Sequence, residues 1–216
     1  MIRVGISVEG QTEYEFCQKF LTPYFRSFQI ELTAIIVSTK REKCGTKHKG
    51  GCINLDRVSN EIKKLLPSFD YVTTFYDLYG FKGIDLELTA DELEKQIFER
   101  FNTHKLIPYI QKYEFETLLL SDPSYYEEYF EDEKAKIAVE NMIYSCGGDV
   151  ENVNNSRETS PSKRLIKLFD DFNDSYQKLF HGELILEEIG LDKAIKECNR
   201  FALWIEKIKS LSKGKE

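Results

Sequence analysis

The sequence predicts an α/β fold: a mostly parallel sheet of about four strands flanked by helices, with a helical C-terminal portion. Two observations carry this. Apolar, β-branched runs alternate with helix-period segments over the first 112 residues, the pattern of βαβ units. After Ser121 the strand-like runs stop, and helical periodicity continues to the C-terminus.

Taken in order, Ile2, Val4, Ile6 and Val8 alternate with other residues in a first strand over 2–8, which suits a pleated element. Gly10 can take backbone angles closed to most residues. Thr12 with Glu15 matches a capping box, so a helix is predicted from 12 to 28, bent at Pro23. A second strand is read at 30–38, a basic glycine-containing loop follows, and a helix at 53–66. The aromatic, β-branched segment 69–77 suits a central strand buried on both faces. A helix at 89–102 and a short strand at 106–112 complete the α/β part. Residues 125–144 read as an acidic helix, and the Gly/Asn/Ser-rich stretch 145–162 as a linker or flexible loop. Leu165, Leu168, Phe169 and Phe172 form one helical stripe; Ala194, Ile195, Cys198, Phe201, Ala202, Ile205 and Ile208 form another. Such stripes usually pack on a core; the alternative is that the last one meets a partner or a second copy. The expected organisation is a core over 1–121 and a helical extension over 122–216, packed as one unit.

The chemistry-bearing residues gather at strand ends. The first strand runs into Glu9, with Glu13 in the following helix; the central strand stops at Asp77; the short strand runs into Glu114 and Glu116. Ligands of parallel sheets bind outside the carboxyl ends of the strands. Carboxylates brought together there would repel one another unless a cation lies between them. Oxygen ligands without a Cys/His set select Mg²⁺ or Mn²⁺ over zinc. The plainer reading of Glu9 and Glu13 is that they cap a helix and complement its dipole.

The motifs also carry a resemblance. Glu9 in VEGQTE, Asp77 in YDLYG, and Glu114 with Glu116 in KYEFETLL are similar to the acidic motifs of Toprim catalytic domains, as in topoisomerases, primases and overcoming-lysogenization-defect nucleases. Pro161-Ser162-Lys163-Arg164-Leu165 and the closing Cys198-x-x-Phe201-x-x-Trp204 resemble the domain-of-unknown-function 4276 family. The resemblance spans nearly the whole chain and implies a Toprim-like core. It departs from the Toprim pattern at the second motif, where an Asp-x-Asp pair is usual and Asp77 is followed by Tyr79. It implies a Mg²⁺-dependent nuclease or phosphodiesterase, with Glu9 as general acid/base and itself among the metal residues, Asp77, Glu114 and Glu116 holding one or two metals, and Glu13 supporting or joining them. The resemblance also implies a partner ATPase, since relatives of this kind often work beside one in anti-phage systems; this sequence has no Walker A pattern of its own. The alternatives are a non-catalytic binding or regulatory subunit and a small-nucleotide phosphodiesterase or sensor.

Composition bounds these readings. The 216 residues are 41% hydrophobic and 13% aromatic, enough for a real core. A net charge of −7 excludes broad attraction to nucleic acid through the overall field. DNA or RNA would have to be held by local cations: Lys40, Arg41, Lys47 and Lys49 in the basic loop, Lys82 after Asp77, and Lys163 with Arg164 at a helix start. Five cysteines, an odd number, argue against a disulfide framework. Cys44, His48 and Cys52 lack the fourth ligand and the C-x-x-C knuckle of a structural zinc site. His104 and His181 read as lone residues in polar surroundings, without a nucleophile at a recognised spacing. No apolar run of about 18 residues predicts a membrane span. With no leader-like N-terminal pattern either, the cytoplasm is the expected compartment.

Overall fold

The computed structural model describes residues 1–37 and 53–212. The basic-loop residues Lys40, Arg41, Lys47 and Lys49, and the Cys44/His48/Cys52 group, lie outside the described residues. Two compact units are present, one of Met1–Gln111 with Lys207–Glu216 and one of Lys112–Glu206.

The first unit is a parallel sheet with helices, as its alternating pattern predicts. Strand β1 (Ile2–Val8) is buried at every position except Arg3. It leads into a helical stretch made of α1 (Gln11–Phe16), a π-type turn over Cys17–Leu21, and α2 (Thr22–Arg26). The bend expected at Pro23 is thus realised as a π turn just before it. Proline cannot donate to the preceding turn and crowds the carbonyl four residues back, and a wider turn relieves both. Strand β2 (Ile30–Ile36) alternates buried and exposed residues, as a one-faced edge strand does. Helix α3 (Leu55–Leu65) is capped by Asn54, whose side chain accepts from the Arg57 N–H at 2.9 Å.

Strand β3 (Tyr71–Asp77) is buried from Val72 onward. Helix α4 (Ala90–Glu99) opens on a reciprocal Thr89/Glu92 capping box. The strand expected at 106–112 is split into β4 (Leu106–Ile107) and β5 (Ile110–Gln111). Pro108 has no N–H to give to the ladder. The gap is bridged by the Thr74 hydroxyl, which donates to Tyr109 O at 2.7 Å and accepts from Tyr109 N at 2.9 Å.

The strand order is β2-β1-β3-β4, with β5 also on β3, and every pairing is parallel. On one face Phe16 packs on Phe75 and Phe75 on Tyr109, with ring centroids 5.4 and 5.6 Å apart. Tyr76 meets Phe81 edge-on, and its hydroxyl shares a 2.5 Å hydrogen bond with Ser7.

The second unit is helical. The single helix expected over 125–144 is two, α5 (Pro123–Phe130) and α6 (Glu133–Ser145). Glu131 takes a left-handed conformation, and Asp132 caps α6. Next come α7 (Pro161–Asp171), α8 (Lys178–Ile189), α9 (Leu191–Glu197) and α10 (Asn199–Ser210). Residues 145–162 are not a free linker. Val150, Glu151 and Val153 are buried, and both Glu151 carboxylate oxygens accept from the first turn of α10, from Arg200 N at 2.6 Å and Phe201 N at 3.2 Å. Apolar Val150 and Val153 and the need of α10 for an acceptor at its N-terminus override the loop-like composition. Both predicted stripes are used internally: Leu165, Leu168, Phe169, Ala194, Cys198, Phe201, Ile205 and Ile208 are all buried. Among the described residues no helix is long and apolar enough to cross a membrane.

Candidate functional site

In the first unit the chain steps from β1 to β2 on one side and to β3 on the other, so strand order reverses between β1 and β3. The crevice outside the carboxyl ends of two such strands is where parallel sheets bind ligands. Val8 is paired with Phe75. Glu9 therefore follows the last paired residue of β1, and Asp77 ends the neighbouring strand β3. The two acidic strand ends predicted from sequence are adjacent at the reversal point.

Glu9 is half-buried and its carboxylate lies on Gly80. A β-carbon at position 80 would stand 2.2 Å from Glu9 Oε2 and 2.8 Å from both Cδ and Oε1. Gly80 closes a one-turn 3₁₀ segment, Leu78–Gly80, that starts directly after Asp77. The turn after β3 thus carries the seat for the side chain that follows β1. Asp77 is only 7% exposed. One oxygen of each acid, Glu9 Oε2 and Asp77 Oδ1, is fully buried and accepts no hydrogen bond, while each side chain has other interactions. Beside them the Tyr76 phenol is pushed up, first by burial, against the lowering effect of its Ser7 hydrogen bond, with Glu61 and Glu9 adding to the rise. It remains a neutral hydroxyl.

Glu13 is buried in the first turn of α1 and accepts from the Gly10 N–H at 2.9 Å. The helix opens at Gln11, not Thr12, and Glu13 is the acid that reaches back, while Glu15 accepts from the Gln11 side chain. The plainer reading of Glu13 as a helix-capping acid therefore holds, and its cap fixes where α1 leaves the rim.

Glu9, Glu13 and Asp77 belong to the first unit, Glu114 and Glu116 to the second. Tyr113 takes a left-handed conformation, and a 3₁₀ segment follows over Phe115–Ser121. Glu114 Oε2 accepts from the Ser162 N–H at 2.8 Å, in the first turn of α7, where an acceptor is needed. Glu116 is fully buried and pairs with Lys178 Nζ at 3.3 Å. Burial raises its carboxyl above the usual range, opposed by Lys178 and aided by Glu114. Among the described residues no three His, Cys, Asp or Glu side chains are grouped closely enough to hold a metal ion by themselves.

Of the predicted cations, Lys82, Lys163 and Arg164 are among the described residues. Lys82 is exposed beyond the turn after β3. Lys163 Nζ donates to Arg157 O and Arg164 Nε to Thr159 O, both at 2.8 Å, so this pair ties the turn 157–159 to α7. His104 is exposed, but His181 is not in polar surroundings: it is buried among Tyr129, Phe169, Tyr176 and Phe180. Phe180 and Tyr176 lie close by in the chain and were the available signal, while Tyr129 and Phe169 are brought in from α5 and α7.

A family model described as a domain of unknown function (DUF4276) matches residues 8–209. The chain belongs to the DUF4276 family. No curated protein and no solved structure matches it. In this DUF4276 chain, the segments that resembled the family outside the acidic motifs act structurally. Pro161 sits in the first turn of α7, where its missing N–H costs nothing. Cys198, Phe201 and Trp204 are buried around the Glu151-capped start of α10. Sequence reading missed Gly80 and Thr74. The glycine three residues after Asp77 was the one available signal for the first, and nothing marked the second.

Proposed function

We propose that this DUF4276 protein is a Mg²⁺-dependent phosphodiester hydrolase with a Toprim-like active rim, acting on nucleic acid, in which Glu9 and Asp77 hold the metal. The observation carrying the reading is the placement of these two acids at neighbouring strand ends at the reversal of strand order, with Glu9 seated on Gly80. Two carboxylates suit magnesium, which commonly takes one or two protein carboxylates and completes its shell with water and substrate phosphate oxygens. A bound ion would polarise the scissile phosphate and lower the pKa of a coordinated water. Glu9 Oε2 and Asp77 Oδ1 supply buried oxygens, the glycine at 80 keeps the Glu9 carboxylate close to the strand ends, and the exposed Lys82 would contact a phosphate. Glu13 holds the α1 start in place. The resemblance to Toprim nucleases supports a role as an anti-phage effector beside a partner ATPase.

A second reading, a binding or regulatory subunit without catalysis, is favoured by the lack of a three-ligand group among the described residues and by the partners Glu114 and Glu116 already have. One experiment separates the two. Mn²⁺ binding is followed by electron paramagnetic resonance, and cleavage of single-stranded, duplex and small cyclic substrates is assayed with Mg²⁺, for wild type, Glu9→Gln and Asp77→Asn. The enzyme reading expects metal binding and cleavage in wild type and loss of both in each variant. Full metal-dependent cleavage by Glu9→Gln would overturn it.

A further inference from the structure

We propose that the helical second unit carries a pocket for a small organic cation, a guanidinium or alkylammonium group, between α5 and α8. The pocket is an open cleft of about 240 Å³ lined by Tyr125, Glu128, Tyr129, Leu184 and Glu188. Tyr125, Glu128 and Tyr129 share one face of α5 by their i, i+3, i+4 spacing, and Leu184 with Glu188 share one face of α8.

Three features select the ligand. The Tyr125 and Tyr129 rings stack with centroids 5.6 Å apart, giving the π-rich wall that attracts cations. Glu128 and Glu188 are exposed carboxylates that form no ion pair among the described residues, so the pocket repels anions and has charge to spare for a cation. Tyr125 is only 8% exposed, and its buried hydroxyl has no hydrogen-bond partner. Tyr129, by contrast, donates its hydroxyl to Asp174 at 2.8 Å. A buried hydroxyl without a partner is costly, and an N–H from a bound cation would satisfy the Tyr125 oxygen. A neutral apolar ligand would leave it orphaned. The volume lies below the range of about 300–1,000 Å³ usual for drug-sized ligands, which points to the end of a chain, such as an arginine side chain or a small free amine.

The test is calorimetric titration of the full chain with n-propylguanidinium, tetramethylammonium, n-propylurea and butyrate. The expected result is saturable 1:1 binding of n-propylguanidinium with a Kd of about 1 mM or tighter, and at least about tenfold weaker binding of the urea and butyrate. Glu128→Gln and Glu188→Gln change exposed side chains and should each weaken it by about threefold to tenfold without shifting the melting temperature. Tyr125→Phe removes only the hydroxyl. It should weaken n-propylguanidinium about fivefold and leave tetramethylammonium, which has no N–H, unchanged. N-acetylarginine amide distinguishes the source: tighter binding than n-propylguanidinium assigns the cation to a partner's arginine, weaker binding to a free small molecule. Equal binding of the urea and the guanidinium, or wild-type affinity in all three variants, would overturn the proposal.

Discussion

The carboxylate of Glu9 rests against the α-carbon of Gly80, so closely that a methyl group there would lie 2.2 Å from Glu9 Oε2. The clash is with the far end of a flexible side chain, and Gly80 does not hold a left-handed conformation. Gly80→Ala should therefore move the acid and leave the fold intact. The expected outcome is a stability change within about 1 kcal/mol and Mn²⁺ affinity lowered about 10–100-fold, as for other disturbed ligand settings. Denaturant midpoints and a metal titration on the same preparation check it. Unchanged affinity with the fold retained would remove Gly80 from the site.

Gly5 gives the opposite case. A β-carbon there would meet the Phe69 ring at 2.6 Å, in the middle of the buried strand β1. The strand is buried and the contact reaches the base of the Phe69 ring, which must shift, so Gly5→Ala should cost about 1–3 kcal/mol of stability. Adding Phe69→Leu should recover part of that loss, because the two residues touch and their effects do not add. Urea unfolding of the single and double variants measures the recovery.

Much of the α/β part was legible because its strands carry β-branched and aromatic residues, alternating with others in Ile2–Val8 and Ile30–Ile36 and nearly unbroken in Tyr71–Asp77. Residues 2–8, 30–38 and 69–77 differ from Ile2–Val8, Ile30–Ile36 and Tyr71–Asp77 only at their ends. What local pattern could not carry was any feature settled by a distant residue. Glu13, not Glu15, closes the start of α1 because the helix opens one residue early, with Gly10 as its cap. The stretch 145–162 looked loop-like, yet Glu151 is recruited by α10 some fifty residues on. At the candidate site, strand ends running into acids marked Glu9 and Asp77, but strand order made them neighbours, and no periodicity encodes strand order. The Gly80 seat was out of reach for the same reason.

Thr74 stands in for the ladder where Pro108 breaks it. Its hydroxyl serves both the N–H and the C=O of Tyr109, and all three groups are buried. Thr74→Val keeps shape and β preference while orphaning two backbone groups, so the expected loss is about 2–3 kcal/mol. Thr74→Ser keeps the hydroxyl and should lose much less. Equal losses for Val and Ser, measured by denaturant midpoint, would show that the methyl group matters and the hydrogen bonds do not.

His181 gives the fold a pH dependence with a definite sign. Its Nδ1 accepts from the Gln177 N–H at 2.7 Å, at the start of α8. Nε2 lies 3.3 Å from the Tyr129 hydroxyl, which itself donates to Asp174. Nδ1 can accept only while it carries no proton, so the folded arrangement needs a neutral ring. Burial lowers its pKa below the usual value, against the raising effect of Asp174. The unfolded chain therefore binds the proton more readily. The stabilisation is complete above the unfolded histidine value of about 6.5 and is lost as pH falls below it. His181→Phe fills the aromatic surroundings but cannot titrate. Its urea midpoint should be lower at neutral pH, because Gln177 N–H loses its acceptor, and should fall less between pH of about 7.5 and about 5 than that of wild type. Parallel pH profiles for the two proteins would mean that His181 is not the group responsible.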